Sequence, residues 1–182
     1  MKVSEKRLAD YPWYVRLLLW LQRRKYGEVL QPGLLWGRSP RVFLAMAALY
    51  GAIDRKGSPL DPVLRSLVTV RVSQMNSCRF CVDINSATLA RRAGSFDKVR
   101  ALADWRGSRV FEERERVALE YAEAMTAAGV SISDELFARL RRHFGDDAIV
   151  ELTALIAFQN LSSKFNSALG VPAQGFCNIP GI

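Results

Sequence analysis

Two cysteines three positions apart, in Cys78-Arg79-Phe80-Cys81, are the residues of this chain best suited to chemistry. On a helix this spacing brings both sulfurs within one turn, close enough to bridge with a modest adjustment. A thiol in the first turn of a helix meets unpaired backbone N–H groups and the positive end of the helix dipole, which favour the thiolate. Asn76-Ser77, directly ahead, is a good capping pair and places Cys78 in that first turn; Arg79 adds a positive charge. Asp83 works in the opposite direction, since a carboxylate beside a thiol opposes its ionisation. A dithiol of this kind can attack an oxidant, form a mixed species and close to a disulfide. The plainer alternatives are two small buried residues, or half of a metal site shared between subunits.

The rest of the inventory is narrow. There are three cysteines and one histidine. One imidazole excludes a His-rich metal site, and three cysteines exclude a four-cysteine zinc site within one chain. No metal or cofactor is expected. His143 falls at the end of a predicted helix, where a cation suits the dipole, so capping is preferred to catalysis there. Cys177 lies in a Gly/Pro-rich tail; it is read as a small packing residue, with a third thiol near the redox pair as the alternative. An odd cysteine count and no export signal argue against a disulfide framework and for a cytoplasmic protein.

Elements must position this pair, and proline placement shows which kind. Prolines stand at 12, 32, 40, 59, 62, 172 and 180, leaving 63–171 free of them, as consecutive helices require. Helices are predicted over 11–25, 40–53, 64–75, 78–92, 96–104 (short), 111–128, from the Ser131–Asp134 cap to 144, and from 146 or 147 to 168. Val68-Thr69-Val70-Arg71-Val72 alternates like a strand, but no partner strand pattern exists, so helix is expected there too. An 85-residue shift aligns Gln74–Cys81 with Gln159–Asn166 and suggests two related helical hairpins.

Charge divides the chain. Residues 1–56 carry 11 Lys+Arg against 4 Asp+Glu, whereas 57–182 carry 15 against 14. Two units are therefore read: a basic N-terminal helical extension, 1–56, packing on a core domain, 57–182. The basic charges are scattered among apolar residues, without a nucleic-acid-binding signature, so a solvated face is preferred to nucleic-acid binding. The helix carrying Trp13, Tyr14, Leu17, Leu18, Trp20 and Leu21 is expected to dock on its own domain or a partner subunit rather than on an anionic membrane surface. Trp36 and Trp105 read as core or interface residues. No stretch reaches the roughly 18 apolar residues of a membrane span.

The segment Leu67–Asn85, with its helix–CxxC–helix pattern, and the tail Phe165–Pro172 resemble the carboxymuconolactone decarboxylase-like proteins, including AhpD-like alkylhydroperoxidases, over roughly 35–177. The resemblance implies an all-α, AhpD-like helical bundle that forms trimers or hexamers. In the peroxidase branch the second cysteine attacks peroxide and the first resolves it, which implies Cys81 as the attacking thiol and Cys78 as its partner. That branch also uses a glutamate twelve residues before the first cysteine and a histidine four after the second. Those positions are Ser66 and Asn85 here, and the histidine often found between the cysteines is Phe80. The relay is absent while both sulfurs remain, so a water held by Asn85 and Ser66, the helix dipole and Arg79 are left to assist. Glu151, paired with Ser66 by the 85-residue shift, is a candidate substitute carboxylate, with a surface glutamate the plainer reading. Two functions follow: a thiol-dependent oxidoreductase acting on peroxide or a similar oxidant, recycled by a thiol or dithiol reductant, or a non-catalytic oligomeric module or redox sensor on the same scaffold. A decarboxylase-like lyase is less favoured, because His143 is the only imidazole.

Overall fold

In a computed structural model, which describes residues 1–4 and 6–178, the chain is all-helical and no strand occurs among the described residues. The last four residues of the expected 57–182 unit, and Glu5 of the expected extension, lie outside them. The helices are α1 (Trp13–Tyr26), α2 (Gln31–Trp36), α3 (Pro40–Ile53), α4 (Pro62–Met75), α5 (Arg79–Ala93), α6 (Asp97–Ala101), α7 (Glu113–Thr126), α8 (Asp134–His143) and α9 (Asp146–Ala168).

Local chemistry sets the ends. Asp61 caps α4, its carboxylate accepting the N–H groups of Val63 (2.8 Å) and Leu64 (3.2 Å), with Pro62 in the first helical position. Glu112 and Glu115 form a reciprocal capping box at α7. Ser133 caps α8, as the Ser131–Asp134 pattern implied. Gly27 ends α1 with φ 86°, a left-handed position that glycine fills without a Cβ penalty. The strand-like run at 68–72 is helical inside α4, where Val68, Val70 and Val72 are all fully buried. Its alternation carried no strand information because α4 is surrounded: it packs against α5, α7 and α9 at once. β-Branched residues cost such a helix little compared with the apolar surface they bury.

Two core clusters share α4, one with α7, α8 and α9 and the other with α5, α6 and Trp105. In a third, Val15 and Leu19 of α1 dock on Leu34 and Phe43. The exit of α3 is tied to α4 and α5 by arginines. Buried Arg65 donates to the carbonyls of Ile53 (3.1 Å) and Arg55 (2.8 Å), and Arg92 grips Asp54 with both oxygens (2.9 and 2.8 Å).

Three expectations are corrected. The 31–36 segment is helical although no helix was expected there: Pro32 stands in the first turn of α2, and the helix's short length hides any periodicity. Residues 152–166 lie on a single 23-residue helix, α9, so the 85-residue shift does not mark a second hairpin. Asn76-Ser77 does not cap α5, for the reason given next.

Candidate functional site

The turn between α4 and α5 is built so that one residue serves two helices. Asn76 ends α4, and Ser77 takes the left-handed conformation with φ 51°, unusual for a residue with a side chain. The Ser77 N–H returns to the Gln74 carbonyl (3.0 Å) and the Cys78 N–H to that of Ser73 (3.1 Å), which is the Schellman closure. Cys78 then caps α5 itself, its sulfur accepting the Cys81 N–H at 3.2 Å. The Asn76 amide is engaged elsewhere, donating to Asn160 (2.8 Å) and Ser163 (2.9 Å) of α9 and pinning the turn to that helix.

Cys78 and Cys81 are joined as a disulfide with Cα atoms 5.2 Å apart, and both are buried. The helix N-terminus therefore acts most directly on the Cys78 sulfur, where a thiolate gains a backbone donor and the dipole. Cys81 has a different partner: Asn166 of α9 donates its amide N–H to Sγ at 3.3 Å. Sequence reasoning did not single out Asn166, although the 85-residue alignment set it opposite Cys81. The contact is tertiary, and no local pattern announces it. Arg79 is exposed and joins none of the buried groups.

Cys81, but not Cys78, opens onto a cavity of about 340 Å³. Its wall is apolar for the most part, with Leu18 and Leu21 of α1, Trp36 of α2, Phe43 and Met46 of α3, and Phe158 of α9. The N-terminal helices thus form one side of the space over the dithiol. Trp36 stacks on Phe165 at 3.6 Å between ring centroids, and Leu35 packs with Cys78, Phe80 and Cys81.

Asn85 stands between this cavity and a smaller one of about 60 Å³, whose wall also includes Ser66, Asp54 and Arg92. The Asn85 amide donates to Ser73 Oγ (3.3 Å), as does that of Gln159 (2.9 Å). Ser66 is absent from the wall on which Cys81 opens. Its hydroxyl donates to the Pro62 carbonyl (3.1 Å) and accepts from Arg92 (2.9 Å). Tyr50, 43% exposed, borders both spaces and donates its hydroxyl to Asp54 (3.5 Å).

Other sequence candidates are placed away from the sulfurs. Glu151 is bound to Arg55 and to Ser58 (2.7 Å), and the Arg55 hydrogen bond holds its carboxyl below the usual range, so it is the surface glutamate and not a substitute base. His143 is exposed at the end of α8. Asp83, buried one turn into α5, accepts the N–H groups of Gln174 and Gly175 (2.8 Å each) and Cys177 (2.7 Å). Its charge clamps the tail across α5, and Cys177 packs against the core cluster shared by α4, α5 and α6 rather than in the wall of the large cavity. Among the described residues no cluster of three or more His, Cys, Asp or Glu could hold a metal, and no helix is long and apolar enough to cross a membrane.

The carboxymuconolactone decarboxylase family model matches residues 40–124, which include α3 and the dithiol turn. The uncharacterized protein YnjA of Escherichia coli K12 is 53% identical over 173 residues, covering 95% of each chain. A peroxidase-related protein from Ralstonia eutropha, described as an alkylhydroperoxidase AhpD core, superposes with a TM-score of 0.87 at 24% identity, covering 96% of this chain and 93% of its own. A cysteine-to-alanine variant of the debrominase Bmp8, in complex with 2,3,4-tribromopyrrole, superposes with a TM-score of 0.84 at 22% identity, covering 97% and 93%. At those identities the two solved structures establish the shared fold. With the YnjA likeness running nearly end to end and the family match spanning the CxxC turn, this chain belongs to the carboxymuconolactone decarboxylase family.

Proposed function

We propose that the chain is a dithiol oxidoreductase of the alkylhydroperoxidase type, which reduces an organic hydroperoxide or similar small oxidant. The observation that carries this reading is the asymmetry of the pair: Cys81 opens onto the large apolar cavity, while Cys78 sits behind it at the helix N-terminus. Cys81 is then the attacking thiol and Cys78 the resolving one. The Cys81 thiolate attacks the terminal oxygen of ROOH, the O–O bond breaks, and an S–O bond forms. The alkoxide takes the proton the thiol gave up, leaving ROH and Cys81–SOH. Cys78–SH condenses with the sulfenic acid to give the disulfide and water. An external thiol or dithiol restores the pair by attacking the Cys81 sulfur from the cavity. Cys78 leaves as a thiolate already held by the Cys81 N–H, and a stabilised thiolate is the faster leaving group.

Proton traffic without the family's Glu and His falls to Asn85 and Ser66. The small cavity they share has room for one or two waters, and Asn85 links it to the space over Cys81. Residues 1–56 contribute the outer wall of the site as an extension on the 57–182 unit. A cytoplasmic setting goes with this reading, since the reductant must come from a compartment that keeps thiols reduced. Exposed Trp13, Trp20 and Leu21 of α1 and Leu49 of α3 support a homo-oligomer of the trimer or hexamer type.

Cumene hydroperoxide consumption in dithiothreitol tests the reading. The wild type turns over, Cys81→Ser does not, and Cys78→Ser consumes about one equivalent and stops at sulfenic acid. Loss of dithiothreitol-driven consumption in the wild type itself, with the disulfide opening and closing normally, points instead to a redox sensor or non-catalytic module, the reading that the substituted relay positions Ser66 and Asn85 favour.

A further inference from the structure

An amide buried against a reactive sulfur has two ends, and only one of those in Asn166 is occupied. Asn166 is 2% exposed; its N–H donates to Cys81 Sγ, while Oδ1 is buried without a hydrogen-bond partner. Asn166 also forms part of the wall of the cavity on which Cys81 opens. A buried acceptor without a donor is costly in a folded protein and calls for an explanation. Of the other amides in that wall, Asn85 and Gln159 both give their N–H to Ser73, and Gln22, whose Oε1 is likewise buried without a partner, makes no hydrogen bond to Cys81. Asn166 is therefore the amide aimed at the reacting atom.

We propose that Asn166 is a catalytic residue: its N–H holds the Cys81 thiolate, and its Oδ1 accepts the O–H of a hydroperoxide, directing the terminal oxygen at the sulfur. The inference deepens the peroxide-reducing reading and rests on it. An amide cannot reverse its polarity without losing the sulfur contact, so with N–H committed the oxygen side accepts a donor and nothing else. A hydroperoxide supplies such a donor next to the bond that breaks. A carboxylate or a disulfide has none to offer at that point. The oxygen thus selects among electrophiles, and the N–H supplies part of what the missing histidine would have done for the thiolate.

Few charges compete for this role. The titratable groups in the cavity wall are Lys25 and Tyr26 from α1 and Tyr50 from α3, together with Cys81 itself. On α5, Asp83 is taken by the tail N–H groups and Arg79 is exposed. The residues that α2 and α9 bring to the wall carry no titratable side chain.

The test uses the full chain in a Cys78→Ser background, so that Cys81 reports alone and peptide mass mapping separates it from Cys177. Iodoacetamide alkylation of Cys81 is followed against pH, beside single-turnover consumption of cumene hydroperoxide, for Asn166, Asn166→Leu (similar volume) and Asn166→Ala (no clash). Thermal melts confirm folding. In both variants the alkylation midpoint should move up by about one pH unit, which slows alkylation at pH 7 about tenfold. Well above both midpoints alkylation should recover while hydroperoxide consumption stays roughly tenfold low, a loss typical of one positioned hydrogen bond. An unmoved midpoint in folded variants overturns the thiolate role. Recovery of both reactions at high pH overturns the orienting role. A wild type inert to hydroperoxide, with its midpoint still moving on substitution, removes the peroxide reading and the orienting role together and upholds the thiolate role.

Discussion

At Cys78 the chain closes one helix and caps the next with its sulfur, and this places the two sulfurs in different surroundings. The Schellman closure through Ser77 leaves no residue free to act as a separate cap, so the first cysteine takes the helix N-terminus and the second faces the cavity. The same economy governs the polar groups nearby, where Gln159 and Asn85 both donate to Ser73 and both line the two spaces. If water in the smaller space carries protons, closing the wall should slow chemistry and spare the thiol. Asn85→Leu is expected to lower hydroperoxide turnover by up to about 10²-fold, the low end of positioned proton transfer, with the iodoacetamide profile of Cys81 unchanged. An unaltered turnover rate in that variant would remove Asn85 and Ser66 from the mechanism.

Elements hold this geometry through α4, which packs against α5 and α9, the helices that carry Cys81 and Asn166. Its buried valines and leucines supply area, and charged ties at its flanks supply register. The strongest tie is Glu123 of α7, which accepts from Arg71 of α4 (2.6 Å), the Trp105 indole (2.8 Å) and Arg106 (2.6 Å). Burial pushes its carboxyl up, but the bonds from Arg106, Trp105 and Arg71 outweigh it and leave the group below the ordinary range. A folded-state pKa below the unfolded one, about 4.3, stabilises the protein above that pH, and the contribution is lost as pH falls through the folded value. Glu123→Gln should therefore cost about 2–3 kcal/mol at pH 7 by urea denaturation, since it strands a half-buried arginine. The gap to wild type should close below about pH 4; a gap that persists there would mean the loss is one of packing.

For the whole molecule, the large cavity exists because the N-terminal helices fold back over the dithiol. Val15 and Leu19 are buried in that docking, yet the opposite side of α1 leaves Trp13, Leu17 and Trp20 in solvent, with Leu44 and Leu49 of α3 also exposed. Apolar surface exposed in this amount is what an interface between copies would cover. Sedimentation of the 20.4 kDa chain should give a trimer or hexamer, with Trp20→Glu shifting it toward monomer. A monomeric wild type that floats with anionic vesicles would overturn the oligomer and assign the stripe, with Arg16, Arg23 and Arg24, to a membrane surface.

Much was legible in the sequence because its determinants are local. Proline spacing and the Ser131–Asp134 cap place helix ends close to where they fall, and the CxxC spacing brings two sulfurs to one turn in any helical setting. The short helix α2 was not legible, being too brief for a period to register. Nor was the capping role of Cys78, which depends on a left-handed serine that composition does not announce. Tertiary structure alone decided which sulfur meets the cavity, that Glu151 and His143 lie away from it, that Asp83 serves the tail, and that Asn166 reaches Cys81 across 85 residues. Contacts between distant helices are settled by the packing of whole faces, and no window of sequence contains both partners.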